Sequence, residues 1–211
     1  MSEESHTTLY SIGHSTHTIE RFIELLKEHG ITALADVRSS PFSRFNPQFN
    51  QHELKASLRE NGIKYVFLGQ ELGARSDNPK CYKDGKVQFD ILAKTELFQS
   101  GLERIEKGCK NYRISLMCAE KDPIECHRTI LVSRRLKEAG FAVNHILSNA
   151  QTESHEALEE RMIGMFKLNN GDLFLSPDEI REKAYQRQGD AIAYTMKNDA
   201  DDDDVHKRAQ A

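Results

Sequence analysis

Long hydrophobic runs are missing from this chain of 211 residues. No apolar stretch approaches the roughly 20 residues that a membrane-spanning helix needs. Residues 1–8 are polar and lack the hydrophobic region of a signal peptide. We therefore expect a cytoplasmic protein without a membrane partner. The four cysteines are too few for a disulfide framework in a chain of this length, so we expect reduced thiols.

A strong excess of charge of one sign is also missing. The net charge is −4 and the isoelectric point is near 6.1, which gives no support to nonspecific binding of nucleic acid or membranes. The charges are nevertheless unevenly distributed. Lysine and arginine are frequent between Arg38 and Arg135, whereas aspartates cluster at positions 199 and 201–204. A local basic cleft therefore stays possible.

Several familiar active-site motifs are absent. Tyrosine phosphatases need an arginine six residues after the cysteine, and the corresponding position after Cys118 is Ile124. Arg128 follows Cys118 by ten residues, which does not fit a rhodanese-type loop. The zinc deaminase motif, the Walker loop and the dinucleotide-binding glycine motif are not found either. The sequence predicts no cofactor.

The pattern that is present alternates apolar strands with amphipathic helices. Strands are predicted at residues 9–12, 31–37, 63–68, 112–117 and 141–147, and helices at 18–28, 51–60, 89–107 and 129–139. Residues 70–86 are expected to form a long loop. This alternation predicts an α/β fold, a single open, mainly parallel, Rossmann-like sheet of about five strands with helices on both faces.

Three segments are predicted along the chain. Residues 1–150 are assigned to the α/β domain, residues 151–196 to a helical C-terminal extension, and residues 197–211 to a disordered acidic tail. The extension contains two helix-like stretches, at residues 151–166 and 177–194. They form an appendage, or one of them docks on the sheet domain.

The most informative stretch, residues 118–128, joins a predicted buried strand to a predicted helix. Cys118 ends the strand, and Cys126, His127 and Arg128 occupy the first turn of the helix. Backbone donors and the positive end of a helix stabilise an anion or a thiolate at such a place. The stretch therefore indicates a functional site without identifying its reaction.

Ligands of open parallel sheets bind outside the carboxyl ends of the strands. Polar residues follow three predicted strand ends: His14 and Ser15 after the first, Asp36, Arg38 and Ser43 after the second, and Cys118 after the fourth. With a strand order of 3-2-1-4-5, the first and fourth strands are neighbours and His14 lies close to Cys118. Each residue alone also fits a packing or capping role, so the convergence carries the argument.

Four motifs in order resemble the family called domain of unknown function 488. They are Tyr10-Ser-Ile-Gly-His14-Ser15, Asp36-Val-Arg38-x-x-Pro41-x-Ser43, Leu68-Gly69 with Leu72-Gly73-Ala-Arg75, and Met117-Cys-Ala-Glu-Lys-Asp-Pro-x-x-Cys126-His-Arg128. The resemblance covers about residues 9–147, and residues 173–194 resemble the C-terminal extension of many members. It implies an intracellular α/β domain with a site at these motifs. It implies no substrate, because the family has no assigned reaction.

The first hypothesis is a small enzyme that acts on a phosphate-bearing substrate, a nucleotide or a nucleic-acid end. Its catalytic candidates are Cys118 as the thiolate, His14 and His127 as general base or acid, and Asp36 as the group that orients a histidine or an arginine. Its candidates for substrate binding are Ser15, Arg38, Ser43, Arg75, Cys126 and Arg128, with the arginines holding the anion.

Two alternatives stay open. The first is a non-catalytic module that binds a nucleotide or nucleic acid, in which Phe42, Phe45 and Phe49 stack on bases beside the arginines rather than pack the loop. The second is a thiol redox or metal protein. It uses Cys118 and Cys126, with His127 and His14 completing a zinc site of unrecognised spacing. The sequence does not decide the oligomeric state. Cys81 and Cys109 are expected to be structural or incidental.

Overall fold

Parallel strands form the centre of the structure, a computed structural model that describes residues 8–168 and 175–196. The described strands are β1 Thr8–Gly13, β2 Ala33–Asp36, β3 Lys64–Phe67, β4 Tyr82–Lys83, β5 Lys86–Val87, β6 Ile114–Cys118, β7 Ala142–Ile146 and β8 Thr152–Ser154. Six of them form one sheet in the order β3-β2-β6-β1-β7-β8, in which only the β7–β8 pair is antiparallel.

Helices cover both faces of this sheet, as the sequence predicts. The described helices are α1 Ile19–Glu28, α2 Gln51–Glu60, α3 Gly69–Leu72, α4 Phe89–Leu92, α5 Glu96–Cys109, α6 Arg134–Glu138, α7 His155–Met165 and α8 Pro177–Ile192. Side chains of β1 alternate between two cores. Leu9 belongs to the core beneath α5 and α6, whereas Tyr10 and Ile12 belong to the core beneath α1 and α2. The predicted α/β fold class is therefore confirmed.

The strand order corrects one expectation. Counted in the predicted numbering, the order is 3-2-4-1-5 rather than 3-2-1-4-5, since β6 lies between β2 and β1. All five residues of β6 are buried, which suits a strand that is paired on both edges and covered on both faces. The first and fourth predicted strands are still neighbours, so the expected proximity of their ends is retained.

Three predicted elements have a different form. Residues 70–86 are not a structureless loop, because they contain most of α3 and a β4–β5 hairpin that turns at Asp84 and Gly85, both with positive φ. The predicted helix at 89–107 is interrupted before Thr95, whose side chain caps α5 by accepting from the Phe98 amide. The helix predicted at 129–139 begins as a π-helix, Arg128–Ser133, and continues as α6.

The two C-terminal helices pack against the sheet domain. Residues 152–154, predicted as helix, instead form the antiparallel edge strand β8. One buried cluster combines Ile124 and Ile130 with Leu158 and Met162 of α7 and Ala184 and Tyr185 of α8. The division at residue 150 stays a prediction, and the predicted acidic tail lies outside the described residues.

None of the helices in the described part of the chain has the length and apolar character required to cross a bilayer. The cytoplasmic location inferred from the sequence stays a prediction.

A chain of hydrogen bonds between buried polar side chains connects β1 to the C-terminal helices. The Ser11 hydroxyl lies 2.7 Å from His145 Nδ1, and His145 Nε2 lies 3.0 Å from His155 Nδ1. His155 Nε2 lies 2.8 Å from the Tyr185 hydroxyl, which donates to a Glu159 oxygen at 2.8 Å. The Tyr185 hydroxyl donates its hydrogen bond to Glu159. When both imidazoles are neutral, each group in the chain therefore donates to the next one, from Ser11 to Glu159.

Acidification is expected to destabilise the fold through this chain of histidines. Burial lowers the pKa of His155 to about 4, and the pKa of His145 is held well below its usual value by burial and by His155. The unfolded chain then binds more protons between about pH 6.5 and pH 4, so stability is present above this window and is lost as the pH falls through it. For His155 alone the loss is roughly 3 kcal/mol.

Urea unfolding at several pH values between about pH 7 and pH 4 measures this effect. The His155→Gln variant, which cannot titrate, should show a flatter decline of unfolding free energy than the wild type. Equal slopes for the two proteins would contradict the assignment.

Candidate functional site

The carboxyl ends of β1, β2 and β6 lie side by side. The register pairs Gly13 with Cys118 and Asp36 with Met117, so these three strands end at one level. The pairing continues beyond the strands, where the His14 amide donates to the Cys118 carbonyl at 2.9 Å. The convergence of strand-end residues that the sequence predicts is therefore present.

Two thiols and one imidazole meet at this edge, and we call Cys118, Cys126 and His127 the thiol cluster. His127 Nδ1 lies 3.7 Å from Cys118 Sγ and 3.9 Å from Cys126 Sγ. Its Nε2 lies 2.9 Å from the Val37 carbonyl, to which it donates. That bond fixes the tautomer, so in the neutral ring the lone pair of Nδ1 points at the two sulfurs.

The electrostatics of the thiol cluster favour one shared negative charge. The hydrogen bond to Cys126 and burial raise the pKa of Cys118 well above its usual value. Burial opposes ionisation of Cys126 as well, but the hydrogen bond from Cys118 and the positive charge of Arg128 outweigh it and lower the pKa of Cys126. These directions favour the thiolate on Cys126 rather than on Cys118, the residue that the sequence suggests.

His127 and Glu120 respond to the same charge. Burial disfavours an imidazolium, yet the hydrogen bond and charge of Cys126 outweigh this penalty and raise the pKa of His127. The Cys126 thiol donates to Glu120 Oε2 at 2.8 Å, and burial followed by the charge of Cys126 raises the pKa of Glu120. Cys126 and Glu120 therefore titrate as a coupled pair, because the negative charge of either group disfavours ionisation of the other.

Arg128 braces the loop that follows β6. Its Nη1 donates to the Glu120 carbonyl at 2.8 Å and its backbone amide donates to Cys126 Sγ at 3.4 Å. Gly13 makes this arrangement possible, because a Cβ at that position would lie 1.8 Å from the Glu120 carbonyl oxygen. The guanidinium of Arg128 is thus directed at backbone carbonyls. Arg128 does not line the cleft that opens beside this loop.

Asp36 holds Arg38 in one orientation. Asp36 Oδ1 accepts from Arg38 Nε at 2.9 Å and Oδ2 accepts from Nη2 at 2.7 Å. The Tyr65 hydroxyl donates to the same carboxylate at 2.8 Å, and Arg38 Nη2 also donates to the Phe49 carbonyl at 2.8 Å. Both ionic partners are buried and doubly hydrogen-bonded, which offsets the cost of removing them from water. Arg38 Nη1 is left to face His14.

His14 has both ring nitrogens engaged. Nδ1 donates to the Ser15 carbonyl at 3.0 Å, and Nε2 accepts from Arg38 Nη1 at 3.4 Å. The ring stacks on Phe49 with centroids 4.4 Å apart. Burial first and the charge of Arg38 second lower the pKa of His14 to about 4. A neutral imidazole so placed supports the position of Arg38 and is a poor candidate for a metal ligand.

A cleft of about 430 Å³ opens over the thiol cluster. Four of the ten candidate residues line it: Arg38, Arg75, Cys118 and His127. The Arg75 guanidinium is exposed and lies over the Tyr194 ring, 4.4 Å from its centroid. Two carboxylates, those of Glu120 and Glu125, also line the cleft, so its charge is mixed.

Two candidates for substrate binding have local roles in the backbone. Ser15 adopts a positive φ of 46° in the turn after β1, where its amide donates to the Ala119 carbonyl at 2.8 Å. The Ser43 hydroxyl accepts from the Asn46 amide at 3.1 Å and thereby closes a turn. Neither side chain lines the cleft.

The loop that carries Phe42, Phe45 and Phe49 buries one aromatic ring and exposes the other two. Phe49 is fully buried, as expected for a residue that packs the loop on the sheet. Phe42 and Phe45 are 63% and 94% exposed, with Arg44 between them, and Phe42 lines the cleft. Of the three rings, Phe49 packs the loop on the sheet, whereas Phe42 and Phe45 do not.

Sequence reasoning missed Glu120, Tyr65 and Tyr194. Glu120 lies within the motif between the cysteines, so its position was a usable signal. Tyr65 and Tyr194 carry no motif signal, since each reaches the site only through the tertiary packing of β3 and the chain after α8.

The donors that converge closely enough to hold a metal ion, among the residues described, are those of the thiol cluster, which all lie within 4.8 Å of one another. His14 does not complete this set, since its nitrogens are committed to Ser15 and Arg38.

Comparison with known proteins gives one assignment. The family model described as Domain of unknown function DUF488 matches residues 18–135, more than half of the chain. No curated protein and no solved structure matches the chain. The matched region includes β2, β6 and all three residues of the thiol cluster. The chain therefore belongs to the DUF488 family, whose function is uncharacterised.

Proposed function

We propose that the chain is a small enzyme that binds a phosphate-bearing substrate, a nucleotide or a nucleic-acid end, in the cleft and reacts with it at the thiol cluster. The observation that carries this proposal is the meeting of Cys118 and His127 at a cleft that Arg38 and Arg75 also line. Nucleophilic and acid–base groups beside oriented cations are typical of sites that process anionic substrates.

The two cleft arginines supply the anion-binding part. Asp36 and Phe49 occupy Nε and Nη2 of Arg38, and one hydrogen of Nη1 faces His14, which leaves the second hydrogen of Nη1 for a ligand. Arg75 is exposed and is positioned by its stacking on Tyr194. A phosphate between two guanidiniums accepts charge-assisted hydrogen bonds in a planar geometry that lysine cannot reproduce.

Exposed aromatic rings on the loop that reaches the cleft at Phe42 support a substrate with a base. Phe42 lines the cleft, and Phe45 is almost fully exposed. Solvent-exposed phenylalanines beside an arginine gain contact area when a nucleobase stacks on them. The net charge of −4 disfavours long nucleic acid held by backbone charge alone, so a nucleotide or a short end fits better.

The residues near the thiol cluster divide into reacting and positioning groups. His127 is the acid–base candidate because Nδ1 is free to exchange a proton with either thiol, while Val37 fixes its ring. Asp36 and His14 are positioning residues that act through Arg38.

A non-catalytic nucleotide-binding module is the second candidate. The observation in its favour is burial of the thiols, since Cys118 is only 3% exposed. Its binding site is the same cleft, and it differs from the enzyme in leaving its ligand unchanged.

Loss of an arginine from the cleft should weaken binding of a nucleoside monophosphate. Arg75→Gln removes one charge-assisted contact of roughly 1.5–3 kcal/mol, so affinity should fall by about 10- to 100-fold in calorimetric titration. Glu125→Gln removes a carboxylate from the same cleft and should increase affinity. Arg59→Gln, on the exposed side of α2, is the matched control. Equal affinities for Arg75→Gln and Arg59→Gln would refute the anion site.

Removal of the exposed rings should weaken binding of the nucleobase and leave binding of the phosphate unchanged. The Phe42→Ala/Phe45→Ala variant is expected to bind a nucleoside monophosphate about 5- to 100-fold more weakly, because stacking contributes roughly 1–3 kcal/mol per base. Inorganic phosphate should bind it as well as it binds the wild type. Leu97→Ala, another exposed apolar residue, controls for surface truncation. A parallel loss of phosphate binding would show that the rings only support the loop.

Turnover separates the two candidate functions. Wild-type protein incubated with nucleotides and with 5′- and 3′-phosphorylated oligonucleotides should convert at least one of them, as detected by a mass change. Cys118→Ser and Cys126→Ser should each reduce the rate by at least about 100-fold. Cys109→Ser, a half-buried cysteine of α5, should not. Binding without conversion of any bound compound would favour the non-catalytic module.

A further inference from the structure

We propose that the thiol cluster is the binding site of a single thiophilic divalent cation, and that Zn²⁺ is the ion its donors fit best. The inference deepens the proposed function by naming the cofactor of its reacting centre, and it rests on that proposal for the catalytic role of the ion. Binding of the ion is tested without reference to turnover.

The spacing of the donor atoms matches a tetrahedral zinc site. Zn–S bonds of about 2.3 Å and Zn–N bonds of about 2.0–2.1 Å, at tetrahedral angles, place neighbouring donors roughly 3.5–3.8 Å apart. His127 Nδ1 lies 3.7 Å and 3.9 Å from the two sulfurs, and all three donor atoms lie within 4.8 Å of one another. An ion at their centre needs only small shifts.

The imidazole presents its lone pair to that centre. The Val37 carbonyl holds the proton on Nε2 of His127, which leaves Nδ1 available as a ligand. A backbone carbonyl on the distal nitrogen is the usual outer partner of a metal-binding histidine, since it fixes the ring and increases its basicity.

The sulfurs are supported in the same way. The Arg128 amide donates to Cys126 Sγ at 3.4 Å, a bond that is stronger to a thiolate than to a thiol. Cys118 is the last residue of the buried strand β6, and Cys126 and His127 directly precede the π-helix. All three ligands therefore sit on a fixed backbone, which lowers the entropy lost when an ion binds.

Charge and protons balance at this site. Each thiol that coordinates the ion gives its proton to solvent, and His127 binds as a neutral ring. Two thiolates then neutralise the two positive charges of Zn²⁺. The Cys126 proton, which the Glu120 carboxylate accepts at 2.8 Å in the ion-free cluster, is one of the two that leave.

The cluster provides three protein ligands and leaves a fourth position towards the cleft. Cys118 and His127 both line the cleft, so a water molecule or a substrate oxygen has access to the ion. Three protein ligands with one open position are typical of catalytic zinc sites, whereas structural sites close the fourth position with protein. The phosphate-bearing substrate of the proposed function fits this open position as an anionic oxygen ligand.

Metal content and spectroscopy of the full-length protein test the inference. Protein purified under reducing conditions without chelator should contain one Zn²⁺ per chain by elemental analysis. After replacement by Co²⁺, the absorption spectrum should show thiolate-to-cobalt charge transfer and the strong visible bands of tetrahedral cobalt. Cys118→Ser, Cys126→Ser and His127→Ala should each lower Zn²⁺ affinity by at least about 100-fold in competition with a chromophoric chelator. Cys109→Ser should keep wild-type affinity.

A protection experiment on the wild type tests the inference even when the variants fail to fold. In the wild type, Zn²⁺ should protect Cys118 and Cys126 from alkylation and leave the rate at Cys109 unchanged, as mapped by mass spectrometry. The inference is overturned if wild-type protein with four titratable thiols binds Zn²⁺ no more tightly than the Cys118→Ser/Cys126→Ser variant. A disulfide between the two residues in protein prepared without reductant, together with absence of metal, would overturn it in favour of thiol redox chemistry.

The two proposals fail separately. Absence of Zn²⁺ with nucleotide binding that depends on Arg75 refutes the metal site alone. Stoichiometric Zn²⁺ without binding of any nucleotide or phosphorylated oligonucleotide refutes the proposed function and leaves the metal site standing.

Discussion

The parallel pairing of β6 with β1 and β2 is the constraint on which the site depends. Its register ends the three strands at one level, so that residues distant in the chain become neighbours without any long side chain reaching across. The backbone bond between His14 and Cys118 extends this pairing into the loops. A change of register in β6 by one residue would turn each of its side chains to the opposite face of the sheet and displace Cys118 from His127 and Arg38.

Two kinds of buried polar group follow from this arrangement. Asp36 and Arg38 form an ion pair whose remaining hydrogen bonds are taken by Tyr65 and Phe49, so its charges are neutralised inside the protein. The thiol cluster is different, because its donors face one another across a small gap. The ion pair fixes the position of Arg38, whereas the thiol cluster keeps lone pairs that can react or bind a ligand.

Much of the fold could be predicted from the sequence, because apolar strands and capped amphipathic helices alternate clearly along the chain. The convergence at the strand ends followed from a general rule for parallel sheets. The order of strands could not be derived, since nothing in the residues of β6 states whether it lies between β2 and β1 or outside them. The roles of Arg128 and Ser43 could not be predicted either, because they depend on which backbone groups the loops bring within hydrogen-bonding distance.

The site assignments themselves stay predictions that the geometry refines. Four candidates line the cleft, Cys126 completes the thiol cluster, and the remaining five orient side chains or shape the backbone around the site. Exposure of Phe42 and Phe45 could not be predicted either, since the same composition serves a loop packed on the sheet.

The π-helix at Arg128–Ser133 has a consequence for how the chain tolerates change in length. A π-turn holds one more residue than an α-turn, so each of its residues advances the azimuth by less than the about 100° of an α-helix. The segment Arg128–Ser133 therefore accommodates a surplus residue without rotating the chain before it relative to α6. Deleting one residue there would restore an α-turn and leave His127 facing the sulfurs and Leu136 facing the core. The same deletion within α6 would instead rotate the preceding chain by about 100° relative to the residues that follow.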